Sequence, residues 1–256
     1  MYIPPIRQPM KTLDLSFTEP ALNLAGDEVL LEEVDSGERE PTLRFWESST
    51  TFVVVGYGND LDRECRVLEC EKHGIPIFRR ASGGGTVLQG PGCLNYSLIL
   101  KTGRAEETLN IGKTNCHVME TNRDALGQAL GQKVEIEGHT DLAIDGVKFS
   151  GNAQRRKKNA LLFHGTVLLD FDLSLIDRTL RPPSVEPEYR EGRPHDQFCR
   201  NIPLSADAVK RALRQAWQST GQAPAIDVAK VQRLAKQKYR DTNWIRRRTN
   251  LGQSSE

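Results

Sequence analysis

The sequence predicts an α/β (α+β) fold over residues 1–205, followed by a short helical C-terminal extension and tail over 206–256. Three observations lead there. Short runs of β-branched and aromatic residues alternate with longer, charged segments of helical period. The dipeptide Asp145-Gly146 stands between two alternating segments, the strongest short-range hairpin signal. Past Ser205 only helical patterns remain.

In chain order, Asn23–Val34 (NLAGDEVLLEEV) puts Leu24, Val29, Leu30 and Val34 near helical spacing and predicts an amphipathic helix. Phe52–Gly56 (FVVVG) is a buried strand stopped by glycine. Asp60–His73 spaces Leu61, Val67 and Leu68 among charges, a surface helix closed by Gly74. Ile75–Arg79 and Leu94–Lys101 (LNYSLILK) are strands, with a long helix over Asn115–Leu130. In Thr140–Gln154 (TDLAIDGVKFSGNAQ) the two-residue loop sets Ile144 opposite Val147, Ala143 opposite Lys148, Leu142 opposite Phe149 and Asp141 opposite Ser150. Leu161–Leu169 (LLFHGTVLL) is a further strand, Asp172–Leu180 a helix ended by Pro182-Pro183, and Arg181–Pro203 a proline-rich crossing segment. Ser205 caps a helix, Ile226–Trp244 forms another, and Arg246-Arg247-Arg248 opens a frayed tail.

The chain carries 35 Lys+Arg against 34 Asp+Glu and is 38% hydrophobic, an ordinary globular composition without global attraction to nucleic acid or anionic membrane. No apolar run approaches the roughly 20 residues that span a bilayer, and the N-terminus has no secretory h-region. Five scattered cysteines without CxxC spacing suit a reducing compartment. A cytoplasmic location, with no membrane and no metal site, is the expectation.

Two patterns carry chemistry. Phe78–Gly92 (FRRASGGGTVLQGPG) places Arg79 and Arg80 before Gly83, Gly84 and Gly85. Successive glycines let backbone N–H groups line a nest for an anion, and either arginine adds a forked, charge-assisted donor. Phosphate or carboxylate is the expected guest, although neither GxxxxGK[ST] nor GxGxxG spacing is present. In the hairpin, alternation puts Leu142, Ile144, Val147 and Phe149 on a core face and Asp141, Ala143, Lys148 and Ser150 on a small polar face with one amine. Ser150-Gly151-Asn152-Ala153 follows as a close-approach turn, and His164-Gly165-Thr166 interrupts the next strand, the mark of a bulge or of a ligand pressed on the backbone.

In this order, Arg79-Arg80-Ala81-Ser82-Gly83-Gly84-Gly85-Thr86-Val87, Leu94-Asn95-Tyr96-Ser97, Thr140-Asp141-Leu142, Lys148-Phe149-Ser150-Gly151-Asn152-Ala153-Gln154 and His164-Gly165-Thr166 resemble the signature of the lipoate–protein ligase catalytic domain, a relative of biotin ligases and octanoyltransferases, over about residues 15–205. The resemblance implies a biotin/lipoate ligase-like central mixed or antiparallel sheet flanked by helices. It also implies an ATP-dependent enzyme of two steps. Lipoate and ATP, with Mg²⁺, give lipoyl-AMP and pyrophosphate; the ε-amine of a lysine on a lipoyl carrier domain then attacks the acyl carbon and AMP leaves. The carrier would be a 2-oxoacid dehydrogenase subunit or the glycine-cleavage H protein. Because long members carry a C-terminal accessory domain, a separate accessory subunit is a further expected partner.

By the same resemblance, Lys148 contacts the acyl carbonyl and the adenylate phosphate, and Asp141 receives or orients a proton or only holds Lys148. Arg79 and Arg80 stand at the acyl tunnel, and Ser82, Gly83, Gly84, Gly85 and Thr86 line the ligand. Asn95, Ser150, Gly151, Asn152, Ala153, His164, Gly165 and Thr166 complete the lipoyl-AMP site, with Val87, Leu94 and the strand around Phe163 as candidates for an apolar tunnel. The alternative is an octanoyl- or lipoyl-transferase that forms a cysteine acyl-enzyme without ATP. For it, Cys199 (QFCRN) is a remote candidate; Cys93, next to the glycine loop, reads as a small buried apolar residue. A non-catalytic lipoyl-binding homologue is a second alternative. Arg155-Arg156-Lys157-Lys158 has no interleaved aromatics and reads as solvated loop charge rather than a nucleic-acid surface.

Overall fold

The strand predicted at Leu94–Lys101 lies in the middle of the molecule. A computed structural model describes residues 10–102 and 110–247. Its elements run β1 (Met10–Asp14), α1 (Pro20–Ser36), β2 (Thr42–Glu47), β3 (Phe52–Val55), α2 (Leu61–Glu64), α3 (Val67–Lys72), β4 (Ile77–Arg79), β5 (Val87–Gln89), β6 (Cys93–Lys101) and α4 (Ile111–Leu130). Then follow β7 (Glu135–Glu137), β8 (Asp141–Ile144), β9 (Val147–Arg156), β10 (Ala160–Leu168), α5 (Ser174–Thr179), α6 (His195–Phe198), α7 (Ala206–Ala216), β11 (Ser219–Gln222), α8 (Val228–Leu234) and α9 (Thr242–Ile245).

The strands form an eight-stranded mixed sheet, ordered β11-β1-β2-β6-β10-β9-β8-β7, and a three-stranded sheet, ordered β4-β3-β5. Period-two alternation in β6 explains why it is central. Leu94, Tyr96, Leu98 and Leu100 join a core with Leu43, Phe45, Leu161 and Phe163 and with Val118 of α4 and Val209 and Leu213 of α7. Ile99 points the other way and packs with Leu162 of β10 and with Leu24, Leu30 and Val34 of α1. A third core, with Val53, Val55, Cys65, Cys70 and Cys93, lies behind the small sheet.

Several elements depart from the expectations. The helix expected over Asp60–His73 is two short ones, because the backbone between them pairs elsewhere: Arg66 N–H donates to Thr179 O at 2.8 Å and Arg181 N–H to Glu64 O at 2.8 Å. Helix α1 is not amphipathic in burial; Asn23, Asp27, Glu28 and Glu33 are buried with its leucines. The C-terminal helices cover its outer side, where Lys238 and Tyr239 bond Glu28. The part expected as a helical extension also supplies a strand, since β11 pairs with β1 in parallel. Arg248 and the remainder of the expected tail lie outside the described residues. Among the described residues, no helix is long and apolar enough to cross a membrane.

The hairpin turn is as expected, with φ of 52° at Asp145 and 70° at Gly146. Its register is not. Ala143 pairs with Lys148, but Leu142 pairs with Ser150 and Asp141 with Gly151, so a β-bulge takes up the extra residue, Phe149. Val147 also falls short of the core and stays half-buried. The bulge flips the alternation beyond it: Gly151, and not Ser150, lies on the lysine's face.

Candidate active site

Local strand geometry and the bulge bring the candidate residues to one face of the large sheet. A Cβ placed on Gly151 would stand 2.9 Å from Lys148 Cε and Nζ, so glycine is what leaves the ammonium room. Lys148 Nζ lies 2.8 Å from Asp141 Oδ1, both side chains mostly buried. The other carboxylate oxygen, Asp141 Oδ2, accepts from Tyr189 Oη at 2.8 Å. Burial, then the Asp141 charge, pushes the Tyr189 phenol up, so it stays a proton donor. On the far side of Lys148, Arg200 N–H donates to its carbonyl at 2.8 Å, and Cys199 forms a backbone bridge with it. Burial pushes the Cys199 thiol up, while Lys148 and Arg190 pull it back.

The glycine loop sits across the same face, with Gly84 close to Ala153 and Asn152 O. Arg80 shapes it. Its Nη2 donates to Gly83 O and to Gly85 O, each at 2.6 Å, and its Nε to Gly83 O at 3.1 Å. A trans peptide then turns the N–H groups of Gly84 and Thr86 away from the guanidinium, as an anion nest requires. Burial lowers the Arg80 guanidinium to about 10. Arg79 is buried too and among the described residues hydrogen-bonds only backbone, including Gly56 O at 2.8 Å, Asn59 O at 2.7 Å and Ile245 O at 3.0 Å. Trp244 Nε1 donates to Arg79 O at 2.9 Å. In this conformation both arginines therefore build the loop and dock the C-terminal segment beside it; neither presents a free fork to a guest.

Behind the loop, Ser82 Oγ and His164 Nε2 are 2.6 Å apart. His164 Nδ1 lies 3.9 Å from Asp27 Oδ2, an oxygen that accepts from Ser97 Oγ at 2.8 Å. Asp27 Oδ1 pairs with Arg44 Nη1 at 2.7 Å. Burial outweighs the Asp27 charge and holds the His164 imidazole down at about 4, so it is neutral at pH 7. Further along, Thr166 Oγ1 donates to Asn95 Oδ1 at 2.6 Å.

Five candidates turn elsewhere. Ser150 and Asn152 face the opposite core, where Asn152 accepts from Tyr96 Oη and donates to Thr140 O at 2.8 Å. Gly165 makes room for that amide, since a Cβ there would run into Asn152 Oδ1. Leu94 and Phe163 are in that core as well and cannot line a tunnel on the lysine's side. Val87 does face that side and, like Phe78, packs against the cluster that holds Phe52, Ile99 and Leu162.

Asp27, Arg44 and Tyr189 escaped the reading of the sequence, and Ser97 and Gln89, though inside the quoted motifs, received no site role there. A signal existed for two of them. Asn23 and Asp27, four apart, interrupt the apolar stripe of α1, and Arg44 stands between Leu43 and Phe45 in a strand. Nothing local marks Tyr189, which lies in the proline-rich crossing segment.

The chain matches the family described as the lipoyl protein ligase A/B catalytic domain over residues 19–217. It is 34% identical over 173 residues to a Mycoplasma pneumoniae protein named "Probable lipoate-protein ligase A", covering 67% of this chain and 49% of that one. It is 26% identical over 268 residues to octanoyltransferase LipM of Halalkalibacterium halodurans, covering 91% and 96%. A solved structure of a bi-partite lipoate protein ligase from Thermoplasma acidophilum superposes with a TM-score of 0.79 at 22% identity, covering 96% of this chain and 100% of that one. The chain spans about half the length of the Mycoplasma ligases it matches.

Proposed function

Because the chain belongs to the lipoyl protein ligase A/B catalytic domain family, we propose that it joins lipoate to a lysine of a lipoyl carrier domain by way of lipoyl-AMP. Lys148 carries the reading: a fixed ammonium, 2.8 Å from Asp141, lying over a glycine whose missing side chain leaves the ammonium room. Lipoate carboxylate and nucleotide phosphate are both anions. A cation set between them lowers their repulsion and stabilises the charge that builds on phosphorus. Asp141, gripped by Lys148 and Tyr189, keeps that ammonium in place, and the outward N–H groups of the glycine loop offer donors to the acyl-phosphate oxygens. Among the described residues no cluster of three or more His, Cys, Asp or Glu could hold a metal ion, so the Mg²⁺ of such a reaction would come with the nucleotide and supply charge neutralisation there. The apolar wall of Val87, Phe52, Ile99 and Leu162 suits a medium-chain acyl group.

A second reading, transfer of an octanoyl group through a thiolate, is favoured by one observation. Cys199 is bridged through its backbone to Lys148; burial holds its thiol above the ordinary range, and the Lys148 charge offsets part of that. The likeness to octanoyltransferase LipM over 91% of the chain supports it as well. One incubation separates the two. Apo lipoyl domain is given lipoate with Mg-ATP, or an octanoyl carrier-protein thioester without ATP, and its mass is followed. The ligase reading expects product only with ATP, undiminished in Cys199→Ser. Product only from the thioester, lost in Cys199→Ser, would replace it with the second reading. In Lys148→Ala, with an unchanged circular dichroism spectrum, acyl-adenylate formation should fall at least about 100-fold.

A further inference from the structure

Residues 242–247, which include α9, pack against both supports of the glycine loop. The first support is Arg79, the last residue of β4, directly after which the loop begins. Its guanidinium ties three pieces of chain together. Nη1 donates to Gly56 O and Asn59 O in the turn after β3, Nε to Ile245 O at 3.0 Å and Nη2 to Arg247 O at 3.2 Å. A bond in the other direction runs from Trp244 Nε1 to Arg79 O at 2.9 Å. The second support is the turn itself. Tyr57 N–H donates to Ser82 O at 2.9 Å, and a Cβ on Gly56 would run into Gly84 O, so the loop rests directly on this backbone. The Trp244 ring centre lies 5.9 Å from that of Tyr57, and the Arg247 guanidinium 4.2 Å from it.

Of these pieces the C-terminal one is held least. No residue of α9 is fully buried, so little apolar area opposes its release, and segments of that kind open without global unfolding. Burial lowers the Arg79 guanidinium and the charge of Arg247 lowers it further, so a neighbouring cation also works against docking. The cost of release falls on Arg79. Its Nε and one Nη2 hydrogen would lose their acceptors at the root of the loop, and a buried donor without a partner moves to find one. Docked, Arg79 keeps root and turn at a fixed spacing, and the loop between them holds the N–H groups of Gly84 and Thr86 outward. Released, it no longer fixes that spacing. An anion held by those N–H groups therefore favours the docked form, and docking favours the anion by the same factor.

We propose that residues 242–247 are a positioning element of the anion site, with Trp244 as its latch: their docking orders the glycine loop for the acyl-phosphate ligand, and a bound ligand holds them docked in return. The identity of that ligand rests on the lipoyl-AMP reading above, whereas the coupling between latch and loop is a property of the fold alone.

The test uses the full chain with Trp244→Ala, which removes both the indole bond and the ring contact, and with Trp244→Phe, which keeps a ring but not the N–H. Amide hydrogen exchange at Tyr57 and Arg80, bonded to Ser82 O and Val55 O, reports the seating of the loop without any ligand; the amides of β6 and β10 report the global fold. Binding of a non-hydrolysable lipoyl-adenylate, with a sulfamoyl group in place of the phosphate, is measured by calorimetry. In Trp244→Ala we expect exchange at Tyr57 and Arg80 to quicken about tenfold, with β6 and β10 unchanged, and the analogue to bind about tenfold more weakly; Trp244→Phe should show about a threefold change in each. In the wild type the analogue should slow exchange at Ile245 and Arg246, whose amides close α9. Unchanged exchange at Tyr57 and Arg80 overturns the inference, and so does unchanged or tighter binding of the analogue in a variant whose loop has loosened. If β6 and β10 also exchange faster in Trp244→Ala, Trp244→Phe decides: with its sheet unchanged it must still loosen Tyr57, or the inference fails. An analogue that does not bind the wild type removes the lipoyl-AMP reading and leaves the exchange rates to decide the coupling.

Discussion

The two faces of the eight-stranded sheet are made by the same strands, yet they bury different chemistry. Under α4 and α7 the sheet is lined by Leu94, Leu98, Leu100, Leu161 and Phe163. The polar atoms there form a neutral chain, Asn152 to Tyr96 to Asn122 to Trp217, each paired with the next. Under α1 and the small sheet, the alternate residues of those strands include Ser97 and His164, set against Asp27, which pairs with Arg44, and Asn95, which bonds Thr166. The first face is held by area removed from water, which is non-directional and tolerant of exchange between apolar residues. The second buries Ile99 and Leu162 against α1 in the same way and adds matched charges and directed bonds, which specify positions closely and are costly when half broken. A reaction between anions needs the second kind of surface.

The largest expected effect comes from breaking the charged inlay. Arg44→Leu leaves the Asp27 carboxylate buried without its cation and should cost about 3–5 kcal/mol of stability, measured by urea unfolding. Leu98→Ala, on the opposite face of the same strand as Ser97, should cost about 3 kcal/mol by opening a cavity. Turnover per folded molecule should be unchanged in Leu98→Ala; if it falls there, the division of labour between the faces is refuted.

The third expectation concerns acid. The His164 imidazole is held at about 4 in the fold, against an ordinary 6.5. Above pH 6.5 it is neutral in both folded and unfolded chains and contributes nothing. Between pH 6.5 and 4 the unfolded chain takes a proton that the folded one refuses, so stability falls as pH falls, by up to about 3 kcal/mol. Urea midpoints at pH 7 and 4.5 should therefore draw closer together in His164→Asn than in the wild type. The smallest effect is expected from Ser97→Ala, which removes one donor from buried Asp27 and should cost about 1.5–2 kcal/mol. Equal pH dependence in His164→Asn and wild type would mean that the inlay is wetter than its burial implies.

The strands and the turn were legible because their signals are local. Alternation in Leu94–Lys101 and Leu161–Leu169 reports burial directly, and Asp145-Gly146 reports a backbone that only such residues adopt readily. The small-residue face with its lysine followed from that turn. The bulge did not, because a ladder slips by one residue only when the whole β8–β9–β10 sheet selects the register. Helix α1 was misjudged for a similar reason: its polar side is covered by residues some 200 positions later in the chain, such as Lys238 and Tyr239.

Residues 79 and 80 give the sharpest division. Their sequence alone established two cations before a flexible, anion-friendly loop, a statement about residue type and spacing. That Arg79 would bond carbonyls near residue 245, and Arg80 the loop's own glycines, depended on where distant backbone oxygens came to rest. A guanidinium taken out of water must find acceptors, and the acceptors within reach are assigned only once the chain has packed.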